Sequence, residues 1–180
     1  MMSRSNWIIL GAAVLVAAAG GWLQHESRRA RVPDGVHVAQ TGDIAPDLAL
    51  RDLQGKEHRL SEYRGRRVLL NFWASWCGPC LKEMPALVHA QANIGEKGPI
   101  IVGIAMDDPA QVRTFLAAHP VNYPILLGSL QSPSTSLRLG NVGEVLPYSV
   151  LLDENSRVLF NRRGVLDGDD LKAWATPSAP

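Results

Sequence analysis

Val68-Leu69-Leu70-Asn71-Phe72-Trp73 runs without a break into Ala74-Ser75-Trp76-Cys77-Gly78-Pro79-Cys80, and the reading of this stretch decides the fold. Its first half is an apolar run of strand length, the pattern of a strand covered on both faces. A helical stretch is predicted over Pro79–Ile94. A strand that passes straight into C-x-x-C at the start of a helix puts Cys77 at the helix N-terminus. There the unpaired N–H groups and the helix dipole stabilise a thiolate. Pro79 suits a first turn, where its missing N–H has no intrahelical partner to lose. Cys80 sits one turn further in, more buried, and close enough to close a disulfide with Cys77. These are the chain's 2 cysteines, so neither is left for a separate structural bridge.

Outward from this stretch, strands and helices alternate. Ile100–Met106 reads as a second buried strand, and Pro109–His119 as a helix opened by Asp107, Asp108 and Pro109. Ile125–Leu127 is a short apolar strand. Tyr148–Asp153 and Arg157–Asn161 read as strands of a hairpin turning at Glu154-Asn155-Ser156. Asp169–Ala175 reads as a terminal helix, and Ala49–Leu53 and His58–Leu60 flank a turn at Gln54-Gly55-Lys56. The expected architecture is α/β, with a mixed, mainly parallel sheet and helices on both faces.

The 180 residues leave room for one domain plus an appendage. With 46% hydrophobic and 19% charged residues, the chain is an ordinary packed globule. Formal net charge is +1, and residues 1–23 hold Arg4 and no acid, so the remainder balances to zero. A nucleic-acid partner, which calls for surplus Lys and Arg against phosphates, is not expected. Two cysteines exclude both a disulfide-rich scaffold and a four-cysteine zinc site. His25, His37, His58, His89 and His119 show no H-x₃₋₅-H spacing, so no metal or other cofactor is expected.

The appendage is Trp7–Leu23, seventeen uncharged residues spanning roughly 25 Å as a helix. Two readings stand. Trp7 and Trp22 near its ends fit a membrane anchor in inner-membrane lipid. A basic start, an apolar middle and Ala17-Ala18-Ala19 fit a cleaved signal peptide. Either way the soluble domain is expected outside the cytoplasm, on the periplasmic side of a bacterial inner membrane. Arg28, Arg29 and Arg31 after the segment, against Arg4 before it, count the other way by the positive-inside rule. Residues 24–41 read as a linker and 42–176 as the domain.

WCGPC after VLLNFWAS, with Leu146-Pro147 just ahead of a strand, resembles the thioredoxin superfamily. More narrowly, it is similar to the membrane-anchored, exported TlpA/ResA-like branch. The likeness covers roughly residues 42–175 and includes the opening Gly42-Asp43-Ile44-Ala45-Pro46-Asp47-Leu48, shared by that branch and the peroxiredoxins. It implies a thioredoxin-like fold and thiol–disulfide exchange without a cofactor. Asn71 stands where thioredoxin proper has a buried aspartate, and Cys77-x-x-Cys80-x-x-Glu83 resembles the ResA-like pattern with a glutamate near the disulfide. On a helix Glu83 lies roughly 60° round from Cys80 and 120° from Cys77, on the flank of the buried sulfur. A buried carboxyl there has a raised pKa suited to taking the Cys80 proton. The bland alternative is a solvated residue beside Lys82.

The resemblance further implies a cis bond at Pro147, facing the disulfide, with Leu146 pairing its main chain with an extended substrate. Val145 departs from the small residue common in relatives. Trp76 supplies an aromatic lip for substrate, while Phe72, Trp73 and Met84 are assigned to packing. The expected mechanism is attack by Cys77 on a protein disulfide and resolution by Cys80. Resemblance to the branch implies reduction of cysteine pairs, apocytochrome c among them, with recharging by a membrane thiol donor. A disulfide-forming oxidant or isomerase is the nearest alternative. A peroxidase lacks its P-x-x-x-T/S-x-x-C context here, and a copper chaperone would want C-x-x-x-C.

Overall fold

The computed structural model describes residues 11, 13–22, 32–94 and 98–175. The chain divides into two compact units, residues 1–32 and 33–180. In the first, residues 13–22 form helix α1, exposed along its length. Trp7, Arg4, the three arginines and the first part of the predicted linker (residues 24–31) lie outside the described residues, as does residue 176. Among the described residues no helix is long and apolar enough to cross a membrane.

The second unit is built on one seven-stranded sheet, β1 (Ala49–Asp52), β2 (Glu57–Arg59), β3 (Val68–Trp73), β4 (Ile100–Ala105), β5 (Ile125–Leu127), β6 (Tyr148–Leu152) and β7 (Val158–Arg163). Their order is β2-β1-β5-β4-β3-β6-β7. Helices α2 (Gly78–Asn93), α3 (Pro109–Ala118), α4 (Thr135–Arg138) and α5 (Gly168–Ala175) connect or follow the strands. The sheet is mixed, but not mainly parallel as the alternation predicts. Only β3–β4 and β4–β5 run parallel, while β1–β2, β1–β5, β3–β6 and β6–β7 are antiparallel. Hairpins make antiparallel pairs by themselves, and the chain re-enters beside β3 from the opposite end after β5.

All six residues of β3 are buried, as a strand inside the sheet and covered on both faces requires. Side chains alternate across it. Val68, Leu70 and Phe72 pack with Tyr148, Val150 and Ile104 on one face. Leu69 and Trp73 join the clusters containing Leu87 of α2, Val112 of α3 and Trp174 of α5 on the other. Asn71 is the polar member of that second row. α2 continues through Pro85 without interruption.

Packing also reaches back into the stretch read as linker. Ala39 is fully buried, and its N–H donates to the Arg138 carbonyl at 3.1 Å. Its own carbonyl lies against Gly140, where an added Cβ would sit 2.9 Å from Ala39 O and 2.8 Å from the Tyr148 hydroxyl. Gly140 also has φ +101°, so both space and backbone require glycine there. The opening segment is tied to β7 through Gly42 N–H to Val158 O (2.8 Å) and the Ile44–Arg157 bridge.

Candidate active site

β3 delivers the chain to the C-terminal edge of the sheet, and four residues (74–77) separate it from α2. Cys77 is the N-cap of α2, with an extended backbone (φ −87°, ψ 94°), and its sulfur accepts the Cys80 N–H at 3.3 Å. The helix start therefore does point an N–H at the Cys77 sulfur. Cys77 and Cys80 are joined in a disulfide, their Cα atoms 5.3 Å apart. Cys77 retains 5% of its surface and Cys80 none, so an attacking partner meets Cys77 first. Trp76, beside it, is 65% exposed.

The approach to Cys77 is held by a residue that sequence reasoning treats only as a helix opener. Asp107 follows β4, and its Oδ2 accepts both the Ser75 N–H (3.0 Å) and the Ser75 hydroxyl. Its other oxygen accepts the Asp108 N–H at 2.8 Å. The one signal in the sequence was an acidic residue at the end of a strand parallel to β3.

Glu83 is 1% exposed, which removes the solvated reading. Asn71 Nδ2 donates to Glu83 Oε1 (2.8 Å) and to Ser149 Oγ (3.0 Å), and the Leu166 N–H donates to Oε2 (2.8 Å). These partners come from β3, β6 and the segment ahead of α5, three separate parts of the chain that no local pattern links. Burial pushes the Glu83 carboxyl above the ordinary carboxylate range, although the Leu166 and Asn71 hydrogen bonds pull it down. Such a group holds its proton closer to neutrality, the property an acid–base partner needs. Its oxygens are tied to Asn71 and Leu166, while the helix places it three residues, about one turn, beyond Cys80. Burial, with the Glu83 charge as a lesser cause, also holds the Tyr123 hydroxyl well above its usual range.

The Leu146–Pro147 peptide bond is cis, and a second cis bond joins Ser132 to Pro133, which nothing in the sequence signals. Pro147 is buried just ahead of β6, the antiparallel neighbour of β3. Leu146 is half-buried and packs on the cluster that holds Cys77, Cys80, Trp73 and Met84. The structure thus packs Leu146 on the cluster that contains the cysteines, seats Glu83 on the same helix as Cys80, and leaves Trp76 on the surface. Val145 is 50% exposed. Phe72, Trp73 and Met84 are all buried, as assigned. Among the described residues, no group of three or more His, Cys, Asp or Glu is placed to hold a metal.

A thioredoxin-like sheet that ends β3 in a capped C-x-x-C disulfide, with a cis-proline leading the adjacent strand, defines a thiol–disulfide oxidoreductase. Comparison with known proteins agrees. A family model described as Redoxin matches residues 40–174, and the chain belongs to that family. It is 36% identical over 132 residues to "Thiol-disulfide oxidoreductase ResA" of Geobacillus kaustophilus, covering 73% of this chain and 74% of the relative. The protein of the same name from Geobacillus thermodenitrificans is 33% identical over the same shares. Among solved structures, a thiol:disulfide interchange protein from Bacteroides sp. superposes with TM-score 0.63 at 26% identity, over 75% of this chain and 87% of that one. The protein is accordingly a TlpA/ResA-like thiol–disulfide oxidoreductase acting on protein disulfides.

Proposed function

We propose that the protein works as a reductant outside the cytoplasm, held at or released from the inner membrane by residues 7–23. Its substrates are exported proteins with cysteine pairs, apocytochrome c before haem attachment among them. The Cys77 thiolate attacks one sulfur of the substrate disulfide, forms a mixed disulfide and expels the other substrate sulfur as thiolate. Cys80 passes its proton to Glu83 and attacks the Cys77 sulfur, which closes the Cys77–Cys80 bond and releases the second substrate thiolate. Two electrons have then moved to the substrate, and a membrane thiol donor restores the dithiol. Leu146 pairs its main chain with the extended substrate beside the cis-proline Pro147, under the Trp76 ring. The observation that carries this reading is the Cys77 sulfur at the capped start of α2, where a thiolate is stabilised.

Cys80→Ser in the reduced protein tests it. Stable mixed disulfides with exported cysteine proteins are expected, and failure to capture any of them overturns the substrate assignment. A reduction potential near that of thioredoxin, about −270 mV, fits a reductant, whereas one near about −120 mV makes the protein an oxidant. A reporter fused after residue 40 decides placement, and a cytoplasmic signal refutes it.

A further inference from the structure

The loop that leads into Pro147 is organised by one buried side chain. Asn141 is fully buried and lies just beyond α4 and Gly140. Its Oδ1 accepts the Val145 N–H at 3.2 Å, and its Nδ2 donates to the Val145 carbonyl at 2.9 Å. The same Nδ2 donates to Ser136 Oγ at 3.2 Å. A side-chain amide offers two N–H donors and one carbonyl, and here each is engaged, so the orientation of the amide follows from its partners. Ser136 is itself buried and sits 3.4 Å from Ser134 Oγ, which caps α4 through the Leu137 N–H. The main chain closes the same turn, with the Glu144 N–H donating to the Asn141 carbonyl at 2.9 Å and Glu144 in the left-handed region at φ +47°.

The outcome resembles a one-residue strand pair in which a side chain plays the neighbouring strand. Both main-chain hydrogen-bonding groups of Val145 are consumed. The next residue is different, because the Leu146 N–H and C=O have no hydrogen-bond partner among the described residues. Leu146 also packs on the cysteine cluster.

We propose that Asn141 is a positioning residue for the substrate chain. By occupying Val145 it leaves Leu146 as the open main-chain pairing position of this loop, against the cysteine cluster, and so sets the register of the incoming polypeptide. This rests on the reading above that an extended segment pairs with Leu146. Without the clamp, Val145 competes for the substrate main chain and the loop must be ordered at each encounter, a cost that appears in binding and not in sulfur chemistry.

The test compares wild type, Asn141→Ala and Asn141→Asp on two substrates, a cystine-bridged peptide and 2-hydroxyethyl disulfide, which has no peptide groups. Asn141→Ala is expected to raise KM for the peptide about tenfold while kcat stays within about twofold, because the loss falls on substrate ordering. Reactivity with the small disulfide and the titration of the Cys77 thiol stay with wild type. Asn141→Asp keeps an acceptor for the Val145 N–H and falls between. Equal losses on both substrates, or an unchanged peptide KM, overturn the proposal. If the Ala variant does not fold, amide exchange on the unaltered loop decides the matter. In the free protein the Val145 N–H is protected and the Leu146 N–H is not, and the reverse pattern overturns the clamp. In the mixed disulfide of Cys80→Ser with the peptide, the Leu146 N–H becomes protected. If it stays open there, strand pairing itself is wrong. If it closes while Asn141→Ala leaves KM unmoved, pairing holds and the role of Asn141 does not.

Discussion

Two groups of carboxylates in this protein have similar partners and opposite behaviour. Glu83, behind the disulfide, accepts two N–H donors at 2.8 Å and is nevertheless pushed up, because burial outweighs them. At the edge of the sheet, Asp52 and Glu62 hold His58 between them, at 3.1 Å and 3.0 Å. Burial is the largest single influence on Asp52 too, but the His58 ring and the Lys56 and Gln54 N–H groups together hold it down. Glu62 is held down chiefly by the Arg59 N–H and then by His58. Donor count therefore does not set the sign. Access of water does, and it separates a carboxyl suited to moving a proton from carboxylates that only pin a hairpin.

The comparison breaks most visibly at Glu83. Glu83→Gln should slow exchange with protein disulfides by roughly 100-fold at neutral pH, the scale of general acid–base assistance, and flatten the pH–rate profile. An unchanged profile removes Glu83 from the chemistry. The same variant tests the linkage. A carboxyl raised above its ordinary 4.5 adds its stabilisation below that pH and loses it as pH rises through the folded value. Gln cannot ionise, so the difference in Tm should move in favour of Glu83→Gln from pH 4.5 upward.

Gly103→Ala comes next. Gly103 lies opposite Asn71 in the β3–β4 register, and an added Cβ would meet Ile125 Cδ1 at 2.6 Å, Trp73 Nε1 at 3.1 Å and Tyr123 Cε2 at 3.2 Å. Overpacking there should cost about 1–2 kcal/mol by denaturant titration. No cost would mean that Ile125, Trp73 and Tyr123 move aside for the added methyl. The smallest effect is expected at the surface corner. His58 is raised, first by Glu62 and then by Asp52, so its contribution is present below its ordinary 6.5 and lost as pH rises through the higher folded value. The carboxylates contribute above their ordinary 3.8 and 4.5 and lose it in acid. His58→Ala should lower Tm by a few degrees at most between pH 4.5 and 6.5, with the deficit shrinking in alkaline buffer.

The sequence was most informative where local patterns suffice. β3 is a continuous apolar run, α2 announces itself by Cys77 and Pro79, and both appear within a residue or so of expectation. Strand direction was less legible, since a short apolar run such as Ile125–Leu127 has no polarity in its letters. α4, four residues long with a Ser134 cap, is too short to show a period. Glu83 could be placed on its helix flank, but its partners Asn71 and Leu166 stand 12 and 83 residues away in sequence. Asp107 likewise acts on Ser75, 32 residues away, whereas Asn141 works within its own loop on Ser136 and Val145, where no periodic pattern marks it.

One feature of the helix start reaches beyond geometry. The atom that caps α2 is the same sulfur that gains and loses electrons, so the quality of the cap depends on redox state. A thiolate accepts the Cys80 N–H more strongly than a disulfide sulfur does. By a thermodynamic cycle, any difference in unfolding free energy between the two forms must reappear as a displacement of the reduction potential from that of an unfolded dithiol. Melting the oxidised and reduced proteins side by side is thus an electrochemical measurement made with a thermometer.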